Sequence, residues 1–189
     1  MIIDTHKLLG SLFYQATNKE QLIDIVQALV ESQVLSEDCL LALQNEQEDA
    51  LAAEFSRLFE GVGDMPAPPW GSVYLDKDRI VFGASTVEYR QFLELNHIEL
   101  DTGLREPEDQ FGLMLLAHAY LLENNNNNNS SRELLESHLL TWSSVYLERF
   151  NSASELSFYK KLSSDVIDWL EQLTSEYNLN VATKKLYID

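Results

Sequence analysis

Apolar residues fall along this chain mostly at the three-to-four spacing of helices and rarely at the alternation of strands. Leu8, Leu9, Leu12 and Phe13 share one face of a helix predicted over residues 5 to 16. Leu22, Ile25, Val26, Leu29 and Val30 repeat the pattern behind Asn18 and Gln21, a capping-box pair. Ser36 is an N-cap for a third helix, because its hydroxyl can accept a first-turn amide and Glu37 and Asp38 follow where the helix dipole favours acids. Asn45 with Glu48 opens a fourth, carrying Leu51, Phe55, Leu58 and Phe59. Gly61 stands where that helix would be capped.

The helical period then breaks. Pro66, Pro68 and Pro69 remove three amide donors and fix φ, so neither a helix nor a central strand can continue, and the stiffened loop ends on Trp70. Val73 to Leu75 and Ile80 to Phe82 read as two short extended pieces around a polar turn, which predicts a minor hairpin. Ser85 with Glu88 opens a helix holding Tyr89, Phe92, Leu93 and Leu95 and ending near Asn96 and His97. Pro107 is the expected first residue of the next, with Glu106, Glu108 and Asp109 around its positive end. From Phe111 to Leu122 that helix is apolar nearly all round, so it should be central and buried; at about 16 residues it is too short to span a bilayer.

Six asparagines, Asn124 to Asn129, predict a polar loop over residues 124–130. Ser130 with Glu133 opens a helix through Leu134, Leu139, Trp142 and Phe150, and Ser152 with Glu155 opens the last long one. From Asn178 the period is lost, and residues 178–189 are expected to be extended or loose. The sum is an all-α chain: one domain over residues 1–189, a helical bundle of roughly eight or more helices with a Pro-rich loop.

Composition narrows the function. A formal charge of −18, from 31 acidic and 13 basic residues, repels phosphate backbones and anionic lipid and would draw in a basic peptide. Solubility alone is an equally good reason for such acidity. Cys39 is the single cysteine, so neither a disulfide framework nor a cysteine metal site is available. The amino terminus lacks a basic region followed by a long apolar run, and no transmembrane stretch occurs, so a soluble, cytoplasmic protein is expected.

Catalytic constellations are sparse. His6, His97, His118 and His138 lie in different predicted helices or helix ends. Glu94-x-x-His97 matches half of a di-iron carboxylate pattern, but no second pair accompanies it, and no metal is expected. His118, inside an apolar helix, is expected to be a hydrogen-bonded core residue. No phosphate-binding glycine loop is present. The acids Glu106, Glu108 and Asp109 are accounted for by helix-end electrostatics worth about 0.3–1 kcal/mol each, and Phe55, Phe59, Trp70 and Trp142 by core packing.

Four motifs taken together change that balance. Phe55-x-x-Leu58-Phe59, then P-A-P-P-W-G-S-V-Y-L-D from Pro66 to Asp76, E-P-E-D from Glu106 to Asp109, and H-L-L-T-W from His138 to Trp142 keep an order and spacing that resembles the TorD/DmsD family of cytoplasmic chaperones for molybdoenzymes. The resemblance covers about Leu51 to Phe150. It implies an all-helical, non-enzymatic protein that needs no cofactor of its own, binds the twin-arginine signal peptide of a reductase, and holds the apoenzyme until its molybdenum cofactor is inserted. Carried onto this sequence, the peptide pocket would fall on Phe55, Leu58, Phe59, Pro69, Trp70 and Asp109. Gln110 stands where the family pattern usually has His, so a protonatable ring is replaced by a neutral amide.

A twin-arginine leader presents two guanidinium groups and then an apolar segment, so its binder needs acids beside an apolar groove. Asp109 with Glu106 or Glu108 would meet the arginines, and Leu58, Phe59 and Trp70 the apolar part. Two rival readings are a helical-bundle metalloenzyme built on Glu94 and His97, and an acidic structural oligomer. Assembly as a monomer or as a domain-swapped dimer is compatible with helices joined by long loops.

Overall fold

The computed structural model describes residues 2–100, 106–124 and 128–188. Among them are ten α-helices and one π-helical stretch. Helices α1 (Ile2–Tyr14), α2 (Lys19–Glu31), α3 (Glu37–Asn45) and α4 (Glu48–Phe59) precede the proline loop. The short α5 (Ser72–Leu75) and α6 (Ala84–Leu95) follow it. Then come α7 (Phe111–Asn124), α8 (Asn128–Glu133), the π stretch Leu134–Leu139, α9 (Ser143–Ala153) and α10 (Ser157–Glu176). Asn18 and Ser36 cap as the sequence predicts: Asn18 Oδ1 accepts the Gln21 amide at 2.9 Å and Ser36 Oγ accepts that of Cys39 at 3.2 Å.

Helix α7 is central, as its apolar circumference predicts, and α1 lies along it. The two backbones meet at Gly10 and Gly112, where a Cβ on Gly112 would come within 2.6 Å of the Gly10 carbonyl and one on Gly10 within 2.8 Å of the Gly112 carbonyl. No larger residue fits at that crossing. Around it Phe13 packs edge-on against Phe111 at 4.8 Å, and Phe59 meets Phe150 at 5.3 Å, joining α1, α4, α7 and α9 through one aromatic cluster. Helix α4 is tied to the α9–α10 junction by buried Glu54, which takes two bonds from Arg57 at 2.9 Å and the Glu155 amide at 2.7 Å.

Five local expectations are corrected. Residues 73–82 do not form a hairpin: Val73 and Tyr74 are both buried within α5, which no half-exposed strand would require, and an isolated two-stranded ribbon is marginal in water. Helix α6 is not started by a Ser85–Glu88 box; Asp76 caps it, accepting the Ser85 hydroxyl at 2.7 Å and its amide at 3.2 Å. Helix α7 starts at Phe111, four residues beyond Pro107, and α10 starts at Ser157, whose amide is held by Glu46 at 3.0 Å. The helix expected from Ser130 to Phe150 is interrupted by the π stretch and a turn at Leu140–Trp142.

The loop predicted over residues 124–130 is helical where it is described: Asn124 ends α7, and Asn128 to Ser130 begin α8, which the neighbouring π stretch continues; residues 125–127 lie outside the described residues. The tail beyond Asn178 carries no helix, and hydrogen bonds hold it down: the Ala182 amide on Glu136 O and the Tyr187 amide on Tyr74 O, both at 2.8 Å. Among the described residues no helix is long and apolar enough to cross a membrane.

Candidate functional site

Proline chemistry sets the site's frame. The loop leaves α4 through Gly61, at φ 70°, and runs past Pro66, Pro68 and Pro69 to Trp70, which makes an antiparallel bridge with Gln110. Two backbone bonds close it: Phe111 N–H to Pro69 O at 2.8 Å and Gly71 N–H to Asp109 O at 3.0 Å. Segments nearly forty residues apart in sequence are thereby locked edge to edge in front of the N-terminus of α7.

That clamp leaves a cavity of about 760 Å³. Phe59, Trp70, Glu106 and Gln110, all expected at the site, line it; Pro107 adds to the wall. Tyr14, Glu60, Val81 and Phe82 complete it and were not foreseen from the sequence. The signal for two of them was present, since Ile80, Val81 and Phe82 form an apolar run that stays 56%, 40% and 50% exposed in a chain with few such patches. Phe82 also sits at φ 63°, a left-handed conformation that a bulky residue rarely adopts and that often accompanies function.

The other expected residues stand behind this wall. Leu58 is fully buried, Phe55 is 7% exposed and stacks on Phe59 with ring centroids 4.6 Å apart, and Pro69 is buried beneath the bridge. Asp109 is 3% exposed; its Oδ2 accepts the Ser72 amide at 2.7 Å and the Thr86 hydroxyl at 3.2 Å. Burial raises its carboxyl above the usual range, with the Ser72 and Thr86 bonds pulling the other way. Glu108 pairs with Arg90 through two bonds of 2.8 and 2.7 Å. Burial works to raise the Glu108 carboxyl, but the Arg90 bond prevails and holds it low.

Glu106 is therefore the acid of the E-P-E-D run that faces the cavity. Burial raises its carboxyl, partly offset by a hydrogen bond from the Tyr14 hydroxyl. Glu60, exposed, lines the same cavity. Gln110 uses both ends of its amide: Nε2 donates to Phe13 O at 2.7 Å and Oε1 accepts the Leu113 amide at 2.9 Å, so it caps α7 and ties α1 to it. Glu94 and His97 of the metal reading are exposed at the end of α6, and among the described residues no group of three or more His, Cys, Asp and Glu is placed to hold a metal. His118 is buried as expected, yet its Nδ1 has no hydrogen-bond partner.

Comparison with known proteins agrees with this picture. A solved structure described as a putative redox enzyme maturation protein from Archaeoglobus fulgidus superposes with a TM-score of 0.62, over 90% of this chain and 94% of that one, at 15% identity. The all-helical fold of this chain is thus shared with that structure. The family model for the nitrate reductase delta subunit matches residues 15–151. The chain is 32% identical to the probable Tat proofreading chaperone DmsD of Haemophilus influenzae, over 96% of this chain and 94% of that protein. It is 34% identical to the Tat proofreading chaperone DmsD of Salmonella typhimurium over 97% and 94%. To the chaperone protein TorD of Vibrio cholerae it is 27% identical, over 71% and 66%. The chain belongs to this family, among the TorD/DmsD proteins.

Proposed function

We propose that this chain is a Tat proofreading chaperone: a cytoplasmic, single-domain, non-catalytic protein that binds the twin-arginine signal peptide of a redox enzyme, a molybdenum-dependent reductase, and holds it before cofactor insertion and export. The names of the relatives support the class. The observation that carries the reading to residues is the cavity in front of α7, where Phe59, Trp70, Val81 and Phe82 offer an apolar surface and Glu60 and Glu106 offer carboxylates. Its described lining residues include no Lys, Arg or His. An apolar leader helix seats on the rings while its guanidinium groups bond the two acids bidentately. Asp109, turned inward onto Ser72 and Thr86, acts on this site by positioning the loop that carries Trp70.

Calorimetric titration with a twin-arginine leader peptide tests the proposal. Saturable binding that weakens as salt rises, and weakens again when the two arginines are replaced by glutamines, is the expected result. Equal affinity for both peptides would remove the carboxylates from the mechanism.

A further inference from the structure

A second cavity lies on the other side of the same proline loop. It encloses about 900 Å³, and Met65, Pro66, Pro68 and Val73 form its apolar wall. Arg79 and Arg149 also line it. Arg149 Cζ lies over the Tyr74 ring, 5.9 Å from its centroid, and the charges of both arginines oppose the upward shift that burial gives the Tyr74 hydroxyl. Tyr74 is itself fixed, its hydroxyl donating to Pro68 O at 2.8 Å and its ring stacking on Trp142.

Among the described residues, Arg57 pairs with Glu54, Arg90 with Glu108, Arg132 with Glu136, Lys7 with Glu123, Lys161 with Asp38 and Lys184 with Glu88. Arg149 makes no ion pair among the described residues. A guanidinium over an aromatic face that makes no ion pair keeps N–H donors available, and a carboxylate can fill two of them at once. Asp78 and Glu148 also line the cavity and are exposed. Their charges disfavour a highly acidic ligand and admit one carboxylate carried on an apolar body.

We infer that this groove binds a peptide segment bearing a single carboxylate among apolar residues, with Arg149 as the carboxylate ligand. The proline wall, pre-formed and lacking amide donors on Pro66 and Pro68, receives the apolar side chains. The inference does not depend on the signal-peptide reading, because the two cavities share no lining residue.

Fluorescence anisotropy with a labelled, amide-capped peptide containing one Glu flanked by Leu and Pro, and with its Gln counterpart, tests it on the intact chain. The Glu peptide should bind about ten-fold or more tighter than the Gln peptide, as expected for a charge-assisted hydrogen bond. Arg149→Gln should abolish that preference, while Trp70→Ala should leave it unchanged. A version with the carboxylate only at a free C-terminus shows which source of the group the groove prefers, and preference for either form agrees with the inference. Equal binding of the Glu and Gln peptides to the unaltered protein, no saturation into the millimolar range, or an undiminished preference in a folded Arg149→Gln variant would overturn it.

Discussion

The carboxylate of Asp109 accepts the backbone N–H of Ser72 at 2.7 Å, joining the entry to α7 to the first turn of α5, thirty-seven residues earlier. Because Asp109 is 3% exposed, this bond is made away from solvent, and its strength is that of a desolvated, charge-assisted contact. It holds in place the residue that follows Trp70 and Gly71, and so fixes one side of the peptide cavity.

Asp109→Ala should therefore cost stability first. Losing a buried acceptor leaves the Ser72 amide unpaired, at about 1–3 kcal/mol, which for a chain of this size lowers the melting temperature by several degrees. The salt dependence of leader binding should persist, since Glu60 and Glu106 carry it. Thermal melts combined with titrations at two salt concentrations check this; a salt slope that disappears with Asp109 would assign the charge contact to it.

Phe82 lines the cavity from a left-handed backbone position. Phe82→Gly should relieve roughly 1 kcal/mol of backbone strain while removing an aromatic wall, so denaturant midpoints should hold or rise as leader affinity falls. Loss of both together would make the ring a packing residue.

The crossing of α1 and α7 is the tightest point of the frame. Gly112→Ala places a methyl 2.6 Å from the Gly10 carbonyl and 3.0 Å from both Gln110 Oε1 and Tyr14 Cβ. Separating the helices to admit it should cost about 1–3 kcal/mol and disturb the Tyr14 and Gln110 side of the cavity, so stability and leader binding should drop together in urea titration and calorimetry.

The rings of His6 and His118 meet at a tilt in the interior, with centroids 4.3 Å apart, next to Trp169. Burial lowers His6 from 6.5 to about 4 and His118 to about 2, the latter with a smaller contribution from His6. Both are neutral in the folded chain at a pH where the unfolded chain already protonates them. Their contribution to stability is thus complete above pH 6.5 and is lost as pH falls from 6.5 toward about 4 for His6 and toward about 2 for His118. At pH 4.5 the loss should reach about 2.5 kcal/mol for His6. Urea melts from pH 7.5 to 4.5 should show a shallower decline in His6→Leu than in the unaltered protein; parallel curves would exclude the pair from acid sensitivity.

What the sequence determined by itself was the identity of the helices and the inward faces they present. Leu22, Val26 and Leu29, or the all-round apolar surface of α7, leave one way to remove themselves from water, and they are buried as their spacing requires. The order of Phe59, Trp70 and Glu106 was legible for the same reason: residue type and spacing are local properties. Tertiary structure decided where helices begin and which acids face the cavity. Helices α5, α6 and α10 are started by Asp109, Asp76 and Glu46, carboxylates brought from other segments, so the local pairs Ser85–Glu88 and Ser152–Glu155 were poor guides. Three neighbouring acids of one short run meet three different fates: Glu106 toward the cavity, Glu108 onto Arg90 and Asp109 into the interior. Sequence spacing cannot separate them, because the choice rests on partners that only the folded chain brings within hydrogen-bonding distance.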